Sequence, residues 1–290
     1  MKKRFINYIT YQKRFSPHTI TSYANDLDQF DIYFSDLYAC SVEEANEIMI
    51  RSWVMYAFDK GLAAKTINRK ISTLKSFFRY LQTYEGYEKN PAAHVPVPRI
   101  SQEIPVFLTE EQMKGILSEE FFENTFEGIR DHLIFELFYQ SGIRLSELVN
   151  LKTENIDFNN KTIKVLGKRR KERIVPVSDN LVQYLKIYLE ERNKIATETN
   201  FVFVTVKGKQ AYDKLVYRIV NKHLLRVATL KKASPHVLRH TFATHMLNRG
   251  ADINAVKALL GHASLSATQI YTHNTMDKIK SIYKQAHPRA

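Results

Sequence analysis

The chain has 290 residues, and its 43 Lys and Arg against 30 Asp and Glu give a net charge of +13. That length allows two domains with separate cores, and ordinary proportions of hydrophobic (44%) and charged (25%) residues point to a globular rather than a disordered chain. Apolar runs such as Phe201–Val204 fall far short of the roughly 20 residues of a membrane span. The basic start Met1-Lys-Lys-Arg-Phe lacks a signal peptide's apolar core, and the single cysteine, Cys40, excludes an internal disulfide or a cysteine-based zinc site. A cytoplasmic location is expected.

The N-terminal part reads as helical. A short helix is expected near residues 3–13. Ser16-Pro17 then supplies a cap and a first-turn proline, and Ile20, Tyr23, Leu27, Phe30 and Phe34 follow at alternating spacings of three and four. A second long helix is expected from Val42 to Asp59, with Ala45, Met49, Trp53 and Tyr56 on one side and Gly61 as its stop. The next repeats the pattern with Ile67, Ile71, Leu74, Phe78 and Leu81, and carries Lys65, Arg69, Lys70, Lys75 and Arg79 on its other faces. That basic face suits either solvent or DNA. Four of the eight prolines then fall at Pro91, Pro96, Pro98 and Pro105. Proline removes a donor and favours extended backbone, so residues 91–106 read as a linker. The expectation is a helical domain over 1–90 and a second domain over 107–290.

Thr109-Glu-Glu-Gln opens the second domain with a helix cap. Arg130 to Tyr139 reads as a buried helix broken at Ser141-Gly142, and another helix starts at Leu145. Residues 162–166 and 173–177 are β-branched runs joined by Gly167-Lys-Arg-Arg-Lys-Glu, which predicts a hairpin with a basic turn. A further strand is expected over 200–206. Helices are expected over 215–227, 235–248, 253–260 and 265–272, with Gly250 and Gly261 as stops.

The charge is concentrated. Lys164 to Arg173 holds six basic residues against Glu172 alone, and Lys207 to Arg239 holds nine against Asp213 alone. Those segments sum to +5 and +8, the whole excess of the chain. Charge focused this way is the footprint of a polyanion partner.

Candidate chemistry lies in the same region. In Ser234-Pro-His-Val-Leu-Arg-His, Ser234 is expected to cap a helix that Pro235 begins, placing His236 and Arg239 on one face near its N-terminus, where backbone N–H groups favour an anion. Leu238, Phe242 and Met246 anchor the other side. Arg144 follows Gly142 at the break between two apolar helices, and Glu147, three residues on, can hold its guanidinium. Lys168, Arg169, Arg170 and Lys171 share the hairpin turn, and composition does not choose among them as proton donor or phosphate contact. His262 follows Gly261, and Tyr271 lies nine residues beyond. Two arginines, two histidines and a phenol suit attack on a phosphodiester. A metal-dependent phosphodiesterase using His236, His240 and His245 is an alternative, disfavoured because no Glu accompanies that spacing.

Taken together, Ser-Gly-Ile-Arg144-Leu-Ser-Glu-Leu, Gly-Lys168, His236-x-x-Arg239, Leu-Leu-Gly-His262 and Tyr271 resemble the tyrosine recombinases, most of all the bacterial Xer type. Ser16-Pro-His-Thr-Ile-Thr-Ser-Tyr and Ala286-His-Pro-Arg-Ala strengthen the resemblance, which covers essentially the whole chain. It implies a mainly α, two-domain fold: a SAM-like core-binding helical bundle, then a mixed α+β catalytic domain with a small β-hairpin. It implies strand cutting and rejoining through a 3′-phosphotyrosine, with Tyr271 as nucleophile and Lys168 protonating the 5′-oxygen. Arg144, Arg239, His236 and His262 would surround the phosphate, with Glu147 behind them. Lys65, Arg69, Lys70, Arg169, Arg170, Lys171 and Arg173 would contact DNA. No metal or other cofactor is expected. The partners implied are a double-stranded recombination site, a homo- or hetero-tetramer with a paralogue, and, left open, a DNA translocase; no membrane is involved. The location implied is the nucleoid. Chromosome dimer resolution at cell division is the role favoured, with a mobile-element integrase, excisionase or invertase, a type IB topoisomerase-like enzyme and a non-catalytic DNA-binding protein as alternatives. The tail from Ser281 would dock on a neighbouring protomer.

Overall fold

A computed structural model describes residues 1–100, 106–167, 172–195, 197–227, 233–261 and 273–289. The chain forms two compact units, Met1–Glu103 and Ile104–Ala290.

The first unit is built from α1 (Lys2–Asn7, continued by a π-turn over Tyr8–Gln12), α2 (Pro17–Tyr38), α3 (Glu47–Asp59) and α4 (Ala64–Tyr84). The Ser16 hydroxyl accepts from the Thr19 amide at 3.3 Å, and Leu27, Phe30 and Phe34 are buried along α2. In α4 all five residues of the predicted stripe are buried. The expected helix from Val42 divides in two. Ser41 and Glu44 close a single 3-10 turn, and Asn46 then accepts from the Met49 amide to start α3. Asn46 competes as a cap, so the chain bends before Glu47. The buried stripe of α3 becomes Ile50, Trp53, Val54 and Ala57, and Tyr56 is left exposed. Ala92 and Val95 join this core, so the proline-rich stretch begins packed against the helices.

The basic face of α4 is not uniformly at the surface. Asp26 of α2 is only 2% exposed and binds Arg69, Lys70 and the Thr73 hydroxyl. A buried carboxylate requires such partners. Lys70, expected at DNA, is therefore buried and tied to Asp26 and Gln29. Lys65 and Arg69 are exposed, although Arg69 also pairs with Asp26.

The second unit surrounds α6 (Phe126–Ser141), a helix buried on nearly every side. Thr109 and Gln112 form a reciprocal capping box on α5 (Glu110–Ile116). Gly142 ends α6 at φ 57°; a Cβ there would lie 2.5 Å from the Phe242 ring and 2.8 Å from a Leu260 methyl. The short helix α7 (Leu145–Val149) follows. Strands β1 (Ile156–Asp157), β2 (Thr162–Leu166) and β3 (Glu172–Pro176) form an antiparallel sheet in that order, with Lys164 opposite Ile174. The hairpin turn itself lies outside the described residues.

The predicted strand over 200–206 is two isolated bridges, Lys152 to Phe201 and Val204 to Gln210, around a buried Val202-Phe203-Val204. That packing and scattered backbone bonds, such as Val202 N–H to the Leu151 carbonyl at 2.7 Å and Ala211 N–H to the Phe203 carbonyl at 2.9 Å, hold it in place of a continuous ladder. A helix not expected from the sequence, α8 (Asp179–Asn193), is capped by Ser178 and buries Leu181, Leu185 and Tyr188 against α6. Helices α9 (Asp213–Val227), α10 (Pro235–Asn248) and α11 (Ile253–Leu260) follow, and α12 (His273–Ala286) closes the unit. The predicted helix over 265–272 lies outside the described residues. Ile279, Tyr283, Ala286 and His287 are buried in this unit's own core. In the single chain, the tail expected on a neighbour is therefore packed on its own domain. Each large apolar side chain so buried stabilises by about 1.5–3 kcal/mol.

Candidate active site

Three elements bring the arginines together. Gly142 turns the chain between α6 and α7, placing Arg144 at the α7 N-cap; α10 carries Arg239 one turn in; β3 carries Arg173. Each reaches the C-terminal end of α11. Arg173 Nε donates to the Leu259 carbonyl at 2.7 Å, Arg239 Nη2 to Leu260 at 2.6 Å, and Arg144 Nη2 to Gly261 at 3.0 Å. The carbonyls left without partners at a helix end explain why three donors gather there. Arg239 also donates to the Gly142 carbonyl. Carbonyl partners fix a guanidinium without neutralising its charge.

Glu147 lies between two of these groups. Its carboxylate accepts the Arg144 backbone N–H at 2.7 Å and Arg144 Nη1 at 2.8 Å, and a bidentate pair from Arg173 at 2.7 and 2.9 Å. Burial alone would raise the Glu147 carboxyl, but the bonds and charge of Arg173, then those of Arg144, hold it below the usual carboxylate range. Arg239 is 9% exposed. Burial, then the positive charges of Arg144 and Arg173, lower its guanidinium to about 10. Three cations around one carboxylate leave excess positive charge in a partly dry setting, which can receive an anion such as a phosphate.

Among the sequence candidates, Arg144, Glu147 and Arg239 meet here. His236 is exposed at the second position of α10, and Leu238, Phe242 and Met246 are buried as the spacing predicted. Ser234 stands at the cap position, but its side chain makes no capping bond. Lys168, Arg169, Arg170, Lys171, His262 and Tyr271 lie outside the described residues. Arg173, expected at DNA, is instead 5% exposed and paired with Glu147. The signal was the alternation of β3, which puts Arg173 on the inward face with Val175. The three-histidine metal alternative fails at His245. That ring is buried, with Nδ1 against the Tyr139 hydroxyl at 2.9 Å and Nε2 against the Leu108 carbonyl at 2.8 Å. Among the described residues no helix is long and apolar enough to cross a membrane.

Two family models match in tandem: the phage integrase N-terminal SAM-like domain over residues 3–84 and the phage integrase family over 106–278. The chain belongs to the phage integrase family and is a tyrosine-type site-specific recombinase. It is 42% identical over 291 residues to the tyrosine recombinase XerC of Thermodesulfovibrio yellowstonii, covering 98% of this chain and 95% of that one. It is 37% identical over 295 residues to XerC of Staphylococcus saprophyticus, covering 100% and 98%. Of solved structures, the XerA recombinase aligns at TM-score 0.51 with 28% identity over 100% of this chain and 99% of that one. The XerH recombinase in a post-cleavage complex with palindromic difH substrate aligns at TM-score 0.73 with 24% identity over 97% and 83%, a likeness of fold.

Proposed function

We propose that this recombinase exchanges DNA strands at a specific double-stranded site to resolve chromosome dimers, with Tyr271 as the nucleophile. The supporting observation is the convergence of Arg144 and Arg239 on adjacent carbonyls at the end of α11, directly before the segment that carries His262 and Tyr271. Arg144 and Arg239 grip the nonbridging oxygens of the scissile phosphate, and their bonds strengthen as negative charge builds in the transition state. His236 and His262 manage the proton of the attacking phenol and hydrogen-bond the phosphate. A phenol, with a pKa of about 10, needs that alignment to act as a nucleophile. The Tyr271 oxygen bonds to phosphorus as the bond to the 5′-oxygen breaks, and Lys168 protonates the leaving oxygen. The products are a 3′-phosphotyrosine and a free 5′-hydroxyl. The new phosphodiester retains the energy of the old one, so the partner strand's 5′-hydroxyl can reverse the step without nucleotide hydrolysis.

The helical unit, through Lys65 and Arg69, and the hairpin turn, through Arg169, Arg170 and Lys171, contact the backbone of the site. Four protomers, identical or shared with a paralogue, act on two duplexes. The test uses a nicked suicide substrate. Arg144→Ala and Arg239→Ala should each bind DNA normally but slow adduct formation by roughly a hundredfold or more, the scale of a lost oxyanion donor. Undiminished cleavage by either variant would remove that residue from the site.

A further inference from the structure

We infer that Arg173 is a positioning residue for strand cleavage, acting through Arg144, rather than a DNA contact. The inference rests on the proposed role of Arg144 at the phosphate. Arg144 has two supports, the Glu147 carboxylate and the Gly261 carbonyl. Arg173 touches the element behind each. Its fork grips both Glu147 oxygens, and its Nε holds the Leu259 carbonyl, two residues before Gly261. Its aliphatic stem and Nη1 also pack against Gly261, where a Cβ would meet them at 3.2 Å. A bidentate pair fixes a carboxylate in plane and angle. Arg173 therefore sets the orientation of Glu147, and Glu147 passes it to the Arg144 guanidinium and to the Arg144 backbone N–H.

At 5% exposure, with Nε, Nη1 and Nη2 all donating inside the protein, Arg173 offers no face to a DNA backbone. Lysine cannot replace this geometry, because an ammonium is a point charge and lacks both the fork and the Nε donor.

The experiment compares single-turnover adduct formation, at saturating nicked substrate, for Arg173→Lys, Arg144→Ala and the double variant, with affinity measured over a salt series. Arg173→Lys should slow cleavage at least tenfold while leaving affinity and salt slope unchanged. In the Arg144→Ala background it should cost little more, because the group it orients is gone. Gly261→Ala, which presses on the same side chain, gives a second perturbation with the same expected pattern should Arg173→Lys fold poorly. A changed salt slope, or an equal slowing with and without Arg144, would overturn the inference. Cleavage unaffected by Arg144→Ala would instead sink the proposed site itself, which separates the two failures.

Discussion

The tail provides the most demanding energetic test. Glu136 in α6 is fully buried, and the cation on it is Arg289, three residues beyond the end of α12 and 24% exposed. Gln140 donates to the same carboxylate at 2.8 Å, and the His132 ring stands 3.7 Å away. Arg289→Ala leaves the carboxylate buried beside these weaker partners. Breaking a fully buried pair costs about 3–5 kcal/mol. The partial exposure of Arg289 and the remaining Gln140 bond reduce the expectation to about 2–3 kcal/mol. Because the tail also relies on Ile279, Tyr283 and His287, the loss should appear first as local opening of α12. Native-state hydrogen exchange of the α12 amides reads that opening, and their protection should fall by roughly 30- to 160-fold. Glu136→Gln combined with Arg289→Ala should recover at least half, since no uncompensated charge remains. Unchanged protection in Arg289→Ala, or a double variant no better than the single, would show that this pair does not hold the tail.

Gly142→Ala forces a side chain into the left-handed region and against Phe242 and Leu260; it should destabilise the catalytic unit by about 2–4 kcal/mol in thermal unfolding, and a neutral result would contradict the packing described. His287 donates from Nε2 to the Tyr139 carbonyl and accepts the Arg289 backbone N–H on Nδ1, so protonation would break the second bond. Burial lowers this imidazole from 6.5 to about 4. A depressed folded value means that stability present above the unfolded value is lost as pH falls from 6.5 toward 4. The catalytic unit should lose on the order of 2 kcal/mol by pH 5, and His287→Gln should flatten that dependence. Arg169→Ala with Arg170→Ala should reduce the slope of log affinity against log salt by roughly one to two; an unchanged slope would mean that neither touches phosphate.

Where local chemistry acted alone, the sequence was readable. Ser16 and Thr109 cap the starts of helices, and Gly142 and Gly261 end them, as their types require. The α4 stripe and the β2–β3 pairing follow from spacing. Errors arose where two signals competed. Asn46 restarts a helix already begun at Val42, and isolated bridges with single backbone bonds replace a ladder at Val202–Val204. The signals for helix α8 are the Ser178 cap and the spacing of Leu181, Leu185 and Tyr188. Within the site, the Arg144–Glu147 pair follows from a three-residue spacing. In sequence Arg173 is one charge in a basic run, but the alternation of β3 turns it inward with Val175 and makes it Glu147's second partner.

The proposed cleavage of DNA by Tyr271 is open to direct test. The direct measurement is covalent trapping on a nicked suicide substrate, with EDTA present and no nucleotide, followed by mapping of the protein-linked residue. Wild type should give a denaturant-resistant adduct through Tyr271 at the 3′ side of the break. Tyr271→Phe, which removes one oxygen and keeps the ring, should bind the same DNA and give none. An adduct formed by Tyr271→Phe, or one mapped to another residue of the wild-type chain, would contradict the account.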